Sequence, residues 1–292
     1  MQLTLLGTGS PVPDLRRRGP ASLVVVGDQR VLVDVGSGVV HRLLEAGQSP
    51  RVPPGGPPAI THIFLTHLHS DHIMGLPDLL WTGWIVGWWA TPPAIFGPPG
   101  TAEMMRRLEH TFAYDIKVRN ANDRLAHPWQ SPVVIEYDEA APPIETSDFR
   151  ARPFRVEHSP VDQAFGVRFD SDSGSIAFSG DTSPQESLAE AAHSVDILVH
   201  EVYDSASSRQ RLTTVRDQRG ETSLEFRAIT GIYRYHTGSE ELGRIATLSD
   251  TPWLVLNHVL GPPDSDAIAR DIAARYSGQI TVGEDLQAFT TG

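Results

Sequence analysis

The chain is 292 residues long, 40% hydrophobic and 21% charged, enough for one large α/β domain or two small ones with a sizeable core. Its formal net charge of −12 lacks the basic surplus of a protein built chiefly to grip nucleic acid, and its lack of cysteine excludes disulfides, thiolate metal ligands and a cysteine nucleophile. No charged-then-apolar leader opens it, and its most apolar stretch, residues 79–90, is too short to span a bilayer; a soluble, cytoplasmic protein with no membrane partner is expected.

In chain order, residues 3–6, 22–26 and 30–35 read as strands, the second and third joined across a Gly27-Asp28 hairpin turn. Gly36-Ser37-Gly38 opens a helix over residues 39–46, and a proline- and glycine-rich loop covers 49–58. Residues 60–65 are a buried-type strand. A second half begins near residue 130, with strands at 133–137, 149–156, 164–169, 175–178, 196–199 and 253–256. Helices are predicted there over 184–193, 239–248 and 264–276. Strands and helices alternating in both halves, with hairpins mixed in, predict an α/β fold of two stacked mixed sheets covered outside by helices, a four-layer αββα sandwich. The chain is read as a single domain, 1–292, with 113–148 and 205–234 as inserted loops or a lid.

The strand at 60–65 runs directly into Thr66-His67-Leu68-His69-Ser70-Asp71-His72. In extended backbone His67 and His69 point the same way, and a turn into helix at Asp71-His72 redirects the next two side chains. One short segment thereby offers two ligands to one ion and two to a neighbour. Neutral imidazole and carboxylate are the donors zinc takes where thiolate is absent, and they also suit manganese, iron or nickel.

His-x-His-x-Asp-His after a strand resembles the signature of the metallo-β-lactamase superfamily. Further candidates follow in that family's order: His158 closing a strand, Asp181 in Phe178-Ser179-Gly180-Asp181-Thr182, and His258 after Leu254-Val255-Leu256-Asn257. The resemblance implies one ion held by His67, His69 and His158, a second held by Asp71, His72 and His258, and Asp181 bridging the two. It also implies that Asp34, in Asp34-Val35-Gly36, orients a ligand histidine. Two divalent ions about 3.5–4 Å apart lower the pKa of a shared water for attack on an ester, and Asp71 would orient that nucleophile. His200-Glu201 and His236-Thr237 are similar to paired motifs of the ribonuclease Z-like branch, as is the turn Phe96-Gly97-Pro98-Pro99-Gly100-Thr101. By that resemblance His236 is a general acid supported by Glu201, His200 is structural, and the assembly is a homodimer. The plainer reading of His236 is a polar residue at a helix entry, with Thr237 as its cap.

Two features depart from that branch, and one further segment has a role that is open between two readings. Enzymes of the branch that process transfer RNA precursors usually carry a glycine- and lysine-rich arm in the region of residues 113–148. Here that region has one lysine, Lys117, against Asp115, Asp123, Glu136, Asp138, Glu139, Glu145 and Asp148, whereas phosphate backbones are bound by cations. Trp81, Trp84 and Trp88 share one helical face, which either packs against a sheet or a second subunit, or lines a pocket for an apolar or aromatic ester. The segment 205–234 is either a lid, whose Arg209, Arg211, Arg216 and Arg219 would meet an anionic substrate, or a dimer contact; these arginines and Arg16-Arg17-Arg18 otherwise read as solvated loops. The expected activity is metal-dependent hydrolysis of a phosphodiester or related small ester. Hydrolysis of a lactone, carboxylic ester or aryl sulfate on the same metals is the alternative, with 3′ processing of transfer RNA behind it, so nucleic acid stays open as a partner.

Overall fold

Alternation along each strand sorts apolar residues onto two faces, and that sorting decides the architecture. The computed structural model describes residues 1–47, 60–121, 125–261 and 263–292; the loop expected at 49–58 lies outside the described residues. The first half runs β1 (Gln2–Gly7), β2 (Ala21–Val26), β3 (Gln29–Val33), α1 (Val39–Glu45), β4 (His62–Phe64), α2 (Ser70–Ile73), α3 (Gly75–Val86), β5 (Ala94–Gly97), α4 (Thr101–Thr111), α5 (Ala113–Asn120) and β6 (Val134–Glu136). The second runs β7 (Ile144–Glu145), β8 (Arg150–Arg155), β9 (Phe165–Ser171), β10 (Gly174–Phe178), α6 (Glu186–Ala191), β11 (Ile197–Tyr203), α7 (Ser205–Arg219), α8 (Leu224–Tyr235), α9 (Ser239–Leu248), β12 (Trp253–Leu260), α10 (Ser265–Ala273), β13 (Gln279–Val282) and β14 (Ala288–Thr290).

The first sheet has the order β14-β1-β2-β3-β4-β5-β6, antiparallel as far as β3 and parallel beyond it. The second has the order β13-β12-β11-β10-β9-β8-β7, parallel from β13 to β10 and antiparallel beyond. Leu3, Leu5, Val31, Val33 and Phe64 face Phe165, Phe169, Ile176, Val199 and Val255 in the layer between the sheets. The alternate residues, Leu6, Leu32, Ile63 and Leu65, pack outward under Val39, Leu43, Leu76, Leu79 and Met105 of α1, α3 and α4. On the far side Leu198, Leu254 and Leu256 pack under Leu188, Leu242, Ile245, Ile268 and Ile272 of α6, α9 and α10. Three apolar layers between four layers of secondary structure make the αββα sandwich expected from the sequence.

Trp81, Trp84 and Trp88 belong to the first outer layer and are 5–7% exposed. Trp81 stacks on Trp129 at 4.4 Å and meets Phe112 at 4.4 Å, and the Trp84 indole donates to the carbonyl of His127 at 3.0 Å. Trp81 and Trp84 of α3, and Trp88 just past its Gly87 cap, are therefore core packing, and they line none of the cavities described among the described residues. Residues 113–148, read as an inserted loop apart from the strand at 133–137, contain that strand as β6 and also α5 and β7, with β6 and β7 at the sheet edges. Residues 205–234 are two helices, begun by Asp204 accepting from the Ser207 amide and by Ser223 accepting from the Phe226 amide. Strands β11 and β12 each run four residues past the ends read from sequence, because His200-Glu201 and Asn257-His258 are polar residues inside a strand.

Trp81→Ala removes a buried stacked ring, so stability in a denaturant titration should fall by about 3–5 kcal/mol. Metal uptake by the folded protein should be retained.

Candidate metal centre

The parallel strands of both sheets end at one edge, and the polar residues gather there, as ligands do at the carboxyl ends of strands in α/β sheets. His67 and His69 leave β4 in extended backbone, with His69 at φ −64°, ψ 146° at the entry to α2. The four residues of α2 then turn Asp71 and His72 toward the same point. His158 follows β8, Asp181 follows β10 behind Gly180, which takes φ +59°, and His258 lies within β12. His258 is an extra residue in the ladder: Glu201 pairs with Asn257 while Val202 pairs with Val259. This bulge, with His258 at φ +42°, re-aims one side chain as bulges beside active sites do.

Two groups of donors result. In the first, the ligand atoms of His67, His69, His158 and Asp181 lie within 4.8 Å of one another, and in the second those of Asp71, His72 and His258 do. Asp181 Oδ2 stands between them, 3.9 Å from His67 Nε2 and 3.8 Å from His158 Nε2 on one side, 3.3 Å from His72 Nε2 and 3.5 Å from His258 Nε2 on the other. Asp71 Oδ2 is 3.2 Å from His258 Nε2 and 3.6 Å from His72 Nε2. His158 Nε2 faces His69 Nδ1 at 3.2 Å. Every ligand predicted from the sequence is thus brought to one place; all are buried or partly buried except His69, which is exposed at the rim.

A divalent cation fits this donor set. His67 Nε2, His72 Nε2 and Asp181 Oδ1 are buried without a hydrogen-bond partner among the described residues, a costly state that a bound cation would relieve. Burial holds His67 well below the usual imidazole range and lowers His69 and His158 as well, which keeps them in the neutral form that metals require. Burial also opposes a proton on His72, but Asp181 and Asp34 outweigh it and hold that pKa well above the usual value. The field that would keep a proton there favours a metal cation in its place. Asp181 itself is held well below the carboxylate range: burial opposes its charge and the histidines around it prevail.

The ligands are oriented from behind. Asp34 accepts from the Thr66 amide (2.8 Å) and the Thr66 hydroxyl (2.9 Å) and pairs with His72 Nδ1 (2.8 Å), so Nε2 of His72 faces the site. Thr66 Oγ1 also lies 3.1 Å from His67 Nδ1, and the Tyr235 carbonyl 2.9 Å from His158 Nδ1. Asp34 pays for this placement with φ +57°, a conformation disfavoured for side-chain-bearing residues. On the opposite side Glu201 Oε1 accepts from the amides of Thr182 and Thr237, each at 3.1 Å, and meets His236 Nδ1 at 3.2 Å. Burial works against a proton on His236, yet Glu201 raises its pKa to about 9. His200 turns away, its Nδ1 2.7 Å from the Glu201 carbonyl. Sequence reading missed Thr66, Thr182 and the Tyr235 carbonyl. Thr66 had a signal in its place directly before His67; the others are brought in by the fold alone.

Residues 15–222 match the family described as the metallo-beta-lactamase superfamily. The chain belongs to that superfamily. A protein named ribonuclease Z from Mycobacterium bovis (strain BCG / Pasteur 1173P2) is 35% identical across 98% of this chain and 96% of its own length. Another of that name, from Mycolicibacterium gilvum (strain PYR-GCK), is 35% identical across 98% and 94%. Among solved structures, the metallo-beta-lactamase fold protein YhfI from Bacillus subtilis superposes with a TM-score of 0.71 at 19% identity, covering 99% of this chain and 98% of its own. The short form of human tRNase Z gives 0.69 at 21% identity, covering 100% of both chains. The two structures agree in fold, and the two full-length relatives carry the name of the branch that the His200-Glu201 and His236-Thr237 motifs resemble.

Asp34→Ala should lower metal affinity about 10–100-fold through loss of the group that orients His72, and Asp181→Ala should lower it further; a competitive chelator titration measures both. His236→Ala should leave bound metal unchanged.

Proposed function

We propose that the chain is a phosphodiester hydrolase that carries two divalent ions, zinc first among them, and cleaves RNA. The observation that carries this reading is Asp181 Oδ2 placed between two histidine groups, on a chain with full-length relatives named ribonuclease Z. One ion would be held by His67, His69, His158 and Asp181, the other by Asp71, His72, His258 and Asp181. When bound, such ions lower the pKa of water and take up charge on an ester's oxygens. Asp71 adds a carboxylate that accepts a hydrogen bond from the attacking group and aims it. His236, with Nδ1 committed to Glu201, keeps Nε2 for the leaving oxygen and gives it a proton. Glu201 supplies no proton itself; it fixes the ring and keeps it charged. The reading takes residues 1–292 as one working domain. By family resemblance it places that domain in a cytoplasmic homodimer; no helix among the described residues is long and apolar enough to cross a membrane.

A small ester is the second reading. It is favoured by residues 113–148, whose acids outnumber their cations and so offer a polynucleotide backbone little neutralisation.

Initial rates of the zinc- and manganese-loaded protein, measured side by side on a short oligoribonucleotide, a chromogenic phosphodiester, an aryl sulfate and an aromatic lactone, separate the readings. Dominant phosphodiester cleavage is expected, and a dominant lactone or sulfate rate would overturn the proposal. His236→Ala should slow turnover by about 10²–10⁴-fold, the usual worth of a general acid. A proton held with a pKa near 9 is present at neutral pH and lost above it, so activity should fall on the alkaline side. Glu201→Gln removes the charge that raises this pKa, and the alkaline limb should move to lower pH.

A further inference from the structure

Strand β11 continues past the metal centre. Glu201 and Tyr203 are two residues apart and lie on one face of the strand, and Leu260 of β12 is the partner of Tyr203 across the ladder. The Tyr203 amide donates to the Thr237 carbonyl at 3.0 Å, and a Cβ at Gly238 would come within 2.9 Å of the Tyr203 ring. That ring thus rests on the turn that carries His236. Beyond it lies an open pocket of about 350 Å³, bounded by the ends of β11 and β12 and by α7 and α8.

The cavity has two chemical characters. One part of its wall is aromatic and aliphatic, with Tyr203 and Tyr233 edge to face at 5.1 Å and Ile232 and Leu260 beside them, and another is polar, with Asp204 accepting from the Ser207 amide and hydroxyl. Gln210 and Arg211 of α7 also line it. Neighbouring arginines of α7 are already paired: Arg209 with Glu240 at 2.7 Å, Arg216 with Asp217 at 3.1 Å and Arg219 with Glu225 at 3.2 Å. Among the described residues Arg211 makes no ion pair and no side-chain hydrogen bond.

We infer that this cavity is a nucleotide subsite, which takes one base of the substrate against Tyr233, Ile232 and Leu260 and its phosphate on Arg211. The aromatic and aliphatic part of the lining suits a planar ring, since base–aromatic stacking is tolerant of base identity. The amide of Gln210 gives hydrogen bonds to the ring's edge, and an unpaired guanidinium calls for a phosphate. An aryl ester would fill the slot but leave Arg211 unused. The inference rests on the phosphodiesterase reading and names the residues that select its substrate. It gives the segment 205–234 a role in binding: two helices that build the far wall of a pocket one turn from His236.

The test uses the metal-loaded, full-length protein and the variants Tyr233→Ala, Arg211→Ala and Arg211→Lys. Arg211 is exposed, so its variants should fold even where Tyr233→Ala does not. Adenosine monophosphate is titrated calorimetrically, and kcat and KM are measured on an oligoribonucleotide and on bis(p-nitrophenyl) phosphate. Tyr233→Ala and Arg211→Ala should each weaken nucleotide binding about tenfold, the worth of one stacked base or one charged hydrogen bond. The loss should fall on KM, and the preference for the oligoribonucleotide over the chromogenic diester should drop by the same factor. Arg211→Lys should recover part of it. Unchanged nucleotide affinity and unchanged preference in a wild type that cleaves RNA would overturn the subsite and leave the function standing. Equal losses on both diesters would assign the slot to any aryl group and overturn the nucleotide assignment. A wild type that binds the nucleotide through Arg211 yet cleaves no phosphodiester would overturn the function instead.

Discussion

Charge buried at the seam of two apolar sheets is the constraint on which the rest of the molecule depends. Taking an ionised carboxylate out of water costs several kcal/mol even after relaxation, and Asp181 is 3% exposed. The imidazoles around it cannot all carry protons, because burial drives three of them toward the neutral form. Cations between the two donor groups satisfy both requirements at once. The parallel strands of both sheets end at one edge, where these polar groups gather beside the apolar layers.

Behind the ligands, two carboxylates act in the same way from opposite halves of the chain. Asp34 follows β3 and holds the Thr66 amide, the Thr66 hydroxyl and His72 Nδ1. Glu201, in β11, holds the Thr182 amide, the Thr237 amide and His236 Nδ1. Each anion is anchored by two donors and meets one imidazole. The outcomes differ because of what stands opposite. Nε2 of His72 faces Asp181 and the other candidate donors, whereas His236 lies nearer the surface, 12% exposed. One device thus orients one imidazole in each half of the chain.

Much of this was legible in the residue order. Four donors within six residues after a buried strand announce a metal site, since no core needs that spacing, and the later ligands follow strands with clear apolar runs. Less legible were the ends of β11 and β12, where polar residues at the site look like loop. The bulge at His258 was hidden too, because ladder register depends on the partner strand and leaves no local mark. The tryptophan face was ambiguous for another reason. Helical spacing says which residues share a face, while only the packed neighbours, Phe112 and Trp129, say what the face touches. The caps Asp204 of α7 and Ser223 of α8 were readable, but the arginine-rich, weakly amphipathic sequence of α7 resembled a solvated loop.

The metal donors come from segments as far apart as His67 and His258, and β13 and β14, which border the two sheets, come later still. A chain emerging from the ribosome would expose the His67–His72 cluster long before His158, Asp181 or His258 exists. That early cluster holds only part of each donor group, and the remaining donors follow β8 and β10 and lie within β12 of the second sheet. Metal retention against a competitor would then report the last step of assembly, and a chain arrested before β12 would exchange its ions freely.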